Sequence, residues 1–291
     1  MCFSGGGFAF ALFFFLRFSR PTAGRVLFLL QGGGLEEKFE IGIPDITGLQ
    51  ILYTNDLHGQ VERMPFVSTL VKEKRWKDGP SLLLDSGDWS RGHSLCERFE
   101  GMPMVEIMNA IGYDAVGLGE GEFGWPLPAM TKWAEKAAFP LVCSNVFAGG
   151  DTPPPFVQRW VQKKVGPLSV GIFGLSYPVK TAGNLHLEEP AGVVGEVLRH
   201  FSDEGVQVVI LLSQLGLPED MALARAFPRI SVIVGGRSHH FLPHYLKENE
   251  TYILQSGSDA QYLGAFTLEL GSVISLASFP DLSKKGKKSR T

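Results

Sequence analysis

From Leu49 onward, short apolar runs that end in polar residues alternate with amphipathic stretches of helical length, and this pattern constrains the fold more than any other property of the chain. Leu49 to Tyr53, Ser81 to Asp85, Ala115 to Leu118 and Pro140 to Ser144 read as buried strands. Met64 to Lys77, Met102 to Ile111 and Leu127 to Ala138 read as the helices between them. Such alternation predicts an α/β fold in which the residues after each strand collect at one sheet edge. Phe156 to Lys163 and Leu168 to Phe173 flank Val165-Gly166-Pro167, the signal of an antiparallel hairpin. Helix Val193 to Glu204, strand Val206 to Leu212, helix Glu219 to Phe227 and strand Ser231 to Val234 resume the alternation. Thr251 to Ser256 and Gln261 to Leu270 are expected to close the domain as a strand pair. The predicted architecture is a four-layer α-β-β-α sandwich of two mixed sheets, forming one domain over residues 49–271.

Composition narrows the function classes. The 291 residues are 44% hydrophobic and 20% charged with 35 Gly, which excludes a disordered chain, a collagen or a coiled coil. A net charge of -3 gives no electrostatic case for nucleic acid as a partner. Cys2, Cys96 and Cys143 make no CxxC pair and predict no disulfide framework. Residues 1–48 form a leader of different character, in which Phe8 to Leu16 are nine unbroken apolar positions. That run is too short to span a bilayer, and the arginines follow it, the reverse of ordinary signal-peptide polarity. It reads either as an atypical export signal or membrane anchor, or as an unstructured leader, so cytoplasmic and extracytoplasmic locations both stay open. Residues 272–291 form a basic tail with Lys284, Lys285, Lys287, Lys288 and Arg290 near its end.

The polar residues at the strand ends carry the chemistry. The first strand runs into Thr54-Asn55-Asp56-Leu57-His58-Gly59, and side chains two apart share a face in extended chain. The second runs into Asp85-Ser86-Gly87-Asp88, the third into Gly119-Glu120-Gly121-Glu122-Phe123, and the last alternating strand into Gly235-Gly236-Arg237-Ser238-His239-His240. Asp56, His58, Asp88 and His239 arriving from separate strands make a divalent-metal site of the Mn, Zn or Fe type. Each motif alone is as compatible with a turn or a cap; their order and common placement after strands make the signal.

These motifs resemble those of the calcineurin-like metallophosphoesterases, and within them the 5'-nucleotidase branch, over about Leu49 to Leu270. Thr54 to Gly59 matches the branch's first motif and Ser86-Gly87-Asp88 its second, while Val116 to Gly119 leads into the third. Leu212-Ser213-Gln214-Leu215-Gly216 fits the fourth and Val234 to His239 the fifth. The resemblance implies hydrolysis of phosphate esters by metal-activated water, with Asp56, His58, Asp88 and His239 as one complete ligand set and Asp88 as a bridging carboxylate. It implies no nucleotide specificity, since the branch's base-stacking aromatics come from a separate C-terminal domain.

The chain departs from that pattern at the second metal, whose Asn and two His ligands are replaced by Glu120, Gln214 and Arg237. A guanidinium has no lone pair for a cation. The third motif also lacks the branch's catalytic His and its orienting Asp, whose positions hold Gly121 and Gly124. One ion and reduced activity are expected. Opposite charge changes at 120 and 237 predict a Glu120–Arg237 ion pair, or Arg237 held by Asp88, that either binds the phosphate of a substrate or another small anion, or neutralises a vacated site. The alternative to a hydrolase is a catalytically inactive relative that binds metal or phosphate as a partner protein. Arg91 and His93 follow the second motif and read either as surface-loop residues, the favoured reading, or as substrate contacts, and His240 and His244 read as surface histidines.

Overall fold

The computed structural model describes residues 25–32, 35–42 and 48–270 apart from 180 and 182. The chain divides after Ile46 into two units. In the first, Arg25–Gly32 and Leu35–Gly42 pair as an antiparallel two-stranded sheet, so part of the expected leader is strand. The Phe8 to Leu16 run, with its expected export or membrane contact, and the basic tail both lie outside the described residues. Among the described residues no helix is long and apolar enough to cross a membrane.

The second unit is built on two mixed sheets. The five-stranded sheet contains β1 (Gly48–Thr54), β2 (Ser81–Asp85), β3 (Ala115–Gly117) and β4 (Leu141–Val142) in parallel. The six-stranded sheet contains β5 (Trp160–Val165), β6 (Leu168–Ser176), β7 (Val208–Gln214), β8 (Val232–Gly235), β9 (Leu246–Glu248) and β10 (Thr251–Leu254). Its order is β9-β10-β8-β7-β6-β5, with parallel neighbours in the centre and antiparallel pairs at both edges. A last strand, β11 (Gly264–Glu269), lies antiparallel to β1. The central strands β1, β6 and β7 are buried along their whole length, as parallel strands covered on both faces must be.

Three apolar clusters account for the layering. One joins Leu52, Leu83 and Val116 to α1 (Met64–Lys74), α2 (Met102–Ile111) and α3 (Leu127–Lys136). A second lies between the sheets, where Ile51, Leu82, Ile172, Ile210 and Val232 meet. The third joins Phe173, Leu211 and Ile233 to α4 (Pro190–Asp203) and α5 (Leu217–Ala226). Alternate residues of one strand thus feed different cores, because side chains change face at every step.

The β5–β6 hairpin forms at the predicted turn, with Val165 opposite Leu168. The expected pairing of Thr251 to Ser256 with Gln261 to Leu270 does not. β10 adds in parallel to β8, and β11 adds to the open edge of β1 in the other sheet. Residues 255–263 therefore cross between sheets, and hydropathy cannot reveal that, since both edges accept an apolar strand. A short pair, Val146–Ala148 with Leu185–Leu187, has no clear signal in the sequence either.

Candidate metal centre

The C-terminal ends of seven strands deliver the site, as expected for open α/β sheets. Asp56 and His58 follow β1, Asp88 follows β2 and Glu120 follows β3. Tyr177 follows β6, Gln214 ends β7, and Arg237 and His239 follow β8. Asp259 follows β10. His58, Asp88, Glu120, Tyr177, Gln214, Arg237 and His239 line one cavity of about 310 Å³. The loops after β1 and β2 are laced together by backbone bonds, with the N–H groups of Asp56, His58 and Gly59 donating to the carbonyls of Gly87, Asp88 and Trp89 at 3.0, 3.1 and 2.9 Å.

His58 lines the cavity, and Asp56 sits buried beside it, for a different reason from the expected one. Both have positive φ, 49° and 46°, so the chain there is left-handed, not extended. Asp88, Arg237, His239 and Asp259 are also left-handed, at 59°, 68°, 53° and 56°. Non-glycine residues rarely adopt this conformation, and its concentration in the loops around one cavity marks a strained functional region.

Asp56, His58 and His239 offer three ligand atoms that lie within 4.8 Å of one another. The His58 and His239 rings are 4.9 Å apart, and His239 Nε2 is 3.8 Å from Asp56 Oδ1. One carboxylate oxygen and two imidazole nitrogens suit Mn, Zn or Fe, so these donors fit the expected ion. The structure places the fourth predicted ligand, Asp88, beside this trio, with its Oδ2 at 3.4 Å from His58 Nε2. Its Oδ1 accepts the Gly121 N–H at 3.0 Å.

Outer groups hold the donors. Asp259 Oδ1 meets His58 Nδ1 at 2.9 Å, which leaves Nε2 as the metal-facing nitrogen. Asp56 is fully buried and takes N–H bonds from Asn55 Nδ2 at 2.7 Å, from the Arg237 backbone at 3.0 Å and from Gln214 Nε2 at 3.2 Å. Burial raises its pKa while those donors pull it down. With no ion bound, hydrogen bonding to Asp88 pushes the His58 pKa up to about 9, against burial and with help from Asp259.

The three substituted positions form no second ligand set. Gln214 Nε2 donates to Asp56, to the Gly87 carbonyl at 2.9 Å and to Ser86 Oγ at 3.3 Å, so it holds the loops together. The Arg237 guanidinium stacks on Tyr177, 3.8 Å from the ring centroid. The expected Glu120–Arg237 ion pair does not form: among the described residues no carboxylate lies within 4.0 Å of an Arg237 nitrogen, because the tyrosine face holds the guanidinium instead. The space that a side chain at Gly121 would take is occupied by the Asp88 carboxylate, and the space at Gly124 by the Arg91 guanidinium.

Sequence reading missed three supports. Glu122, fully buried, accepts the N–H groups of Asp88, Gly119, Trp89 and Ser90 at 2.7–3.0 Å and so fixes the Asp88 loop. Burial, then the charge of Asp88, pushes its pKa up to about 7. Asp259 and Tyr177 are the others; only the position of Asp259 shortly after a strand end could have signalled it. Asp85, the last residue of β2, is buried as a brace that accepts from Thr54 Oγ1 and the Gly87 N–H at 2.6 and 2.8 Å. Cys96 and Cys143 are buried free thiols. His240 and His244 are exposed, and His93 accepts the Leu95 N–H at the start of a short helix.

The strand order, the left-handed ligand loops and the Asp-His-His trio place a candidate metal centre at the strand ends of two mixed sheets, the arrangement that the resemblance to metallophosphoesterases implies. By sequence the chain is homologous to metallophosphoesterases and 5'-nucleotidases. The metallophosphoesterase YunD of Bacillus subtilis is 27% identical over 236 residues, covering 77% of this chain and 51% of its own length. The snake venom 5'-nucleotidase of Gloydius brevicauda is 31% identical over 220 residues, covering 67% of this chain and 37% of its own. The crystal structure of a 5'-nucleotidase precursor from Thermus thermophilus superposes with a TM-score of 0.66 at 24% identity, over 75% of this chain and 50% of that one. No protein-family model matches the chain. The chain thus spans about half, or less, of the length of these relatives.

Proposed function

We propose that the domain is a metal-dependent phosphoesterase that hydrolyses phosphate monoesters, with nucleotides as the first substrates to test. The observation that carries the reading is the Asp56, His58 and His239 trio, whose two histidines line a cavity together with the Arg237 side chain. Asp56, His58 and His239 hold one ion, with Asp88 beside them. A divalent ion there supplies a Lewis acid and lowers the pKa of a bound water. Asp259 keeps the His58 ring turned so that Nε2 faces inward. Arg237, flat on Tyr177, presents its N–H edge to two oxygens of a phosphate, the geometry a guanidinium fork favours. Gln214 donates to Asp56 from the position that the resemblance gives to a second-metal ligand, so the residues present would hold one ion, with Arg237 as the cationic side chain beside it. The retained donor set favours this reading over a catalytically inactive partner protein.

The test is turnover of p-nitrophenyl phosphate and AMP by protein loaded with Mn or Zn, with metal content measured on the same sample. About one equivalent of metal and turnover lost in His239→Ala are expected. Turnover no higher than that of His239→Ala, in wild-type protein that holds its metal, overturns the proposal.

A further inference from the structure

A second arginine, Arg91, lies outside the cavity lining, beside Gly121 and Gly124, the first of which abuts Asp88. The Arg91 side chain runs past two glycines. Its Cγ lies 3.6 Å from where a Cβ on Gly121 would sit, a point that Asp88 Oδ1 also crowds. Its Nη1 lies 2.5 Å from where a Cβ on Gly124 would sit. The guanidinium therefore occupies space that any side chain at 124 would take. It rests 4.6 Å from the Trp125 ring centroid, and Nε and Nη2 donate to Glu97 at 3.2 and 3.0 Å. This pair is exposed, 40% for Arg91 and 41% for Glu97. Exposed pairs of this kind contribute little and exchange readily, whereas a phosphate is a stronger guanidinium partner.

The charge balance of the cavity gives such an exchange a reason. A phosphate monoester brings between one and two negative charges to a wall that already carries Asp88 and Glu120. Arg237 lines the cavity, where an ion held by Asp56, His58 and His239 would also lie, and Arg91 is a cationic side chain beside Gly121. The rotatable bonds beyond Cγ let the guanidinium turn from Glu97 toward Asp88 without moving the backbone.

We propose that Arg91 is a second anion-binding arm of this site, parked on Glu97 and Trp125 and transferred to the phosphate group when a substrate enters. The inference rests on the phosphoesterase reading and adds a specificity-determining residue to it. The test is calorimetric binding of inorganic phosphate to Mn-loaded protein, with metal content and melting temperature recorded for every variant. Arg91→Gln weakens phosphate about tenfold with metal content unchanged. Glu97→Gln and Gly124→Ala each unpark the arginine, the first by removing its partner and the second by placing a methyl against Nη1, and tighten phosphate about threefold. The gain from Gly124→Ala disappears in the Arg91→Gln background. Phosphate binding equal to wild type in Arg91→Gln, or a Gly124→Ala gain that persists without Arg91, overturns the proposal while leaving the phosphoesterase reading intact. A metal-loaded wild type that binds no phosphate overturns both. If Arg91→Gln does not fold, the Glu97→Gln and Gly124→Ala pair decides, since unchanged affinity in both refutes the parked arm.

Discussion

At the residue scale, the site depends on side chains that touch no substrate. Asp259 holds His58 across 201 positions of sequence, and its replacement by Ala frees the ring to rotate. We predict a 10- to 100-fold loss of metal affinity in Asp259→Ala, measured by competition with a chelating dye. Glu122 has a different role, since its two oxygens satisfy four backbone N–H groups. Glu122→Gln turns an amide NH2 toward those donors and should destabilise the metal-free protein by about 2–4 kcal/mol in urea unfolding. His58 gives the pH dependence. Its pKa in the metal-free fold, about 9, lies above the unfolded value of 6.5, so its stabilising contribution is full below about pH 6.5 and is lost as pH rises through 9. Ligation needs the neutral ring, so at pH 7.5 metal binding should release a proton and affinity should rise up to about pH 9. Calorimetry in buffers of different ionisation enthalpy reads that proton directly.

At the element scale, the packing of α5 against β7 and β8 contains a buried carboxyl. Asp220 is on α5, bonded to Ser213 Oγ on β7, and burial pushes its pKa up to about 8. The sign follows from the unfolded value of 3.8: the unfolded chain releases this proton first, so Asp220 lowers stability as pH rises from about 4 to 8. Asp220→Asn should flatten that slope, and melting temperatures between pH 5 and 8 will show it. The elements themselves were mostly legible. Buried apolar runs such as Val208–Gln214 announce strands, and Pro at the first turn with Gly after the end frames Met102–Ile111. Strand partners were not legible. β10 and β11 read as neighbours yet joined different sheets, because pairing is set by which edges remain open and not by local hydropathy.

At the scale of the domain, two sheets share one inner core while their outer faces carry helices, and the strand ends of both sheets open on the same cavity. Ile210 sits in that inner core on a central strand, fully buried. Ile210→Ala should lose about 2–5 kcal/mol in chemical denaturation while the folded fraction keeps its metal stoichiometry, since the ligands reside on loops and not on that strand.

The sequence by itself determined the strand-helix alternation and the ligand-type residues Asp56, His58, Asp88 and His239, because both are written in local pattern and residue chemistry. Its resemblance to the metallophosphoesterases marked Glu120, Gln214 and Arg237 as departures, and a guanidinium excludes a cation whatever the fold. Only the tertiary structure decided where the changed side chains went. Arg237 took the face of Tyr177 instead of Glu120, Asp88 filled the room left by Gly121, and Arg91 filled that left by Gly124. Those choices depend on which groups lie within a few ångströms after folding, and residues far apart in sequence become such neighbours only when the strand ends converge.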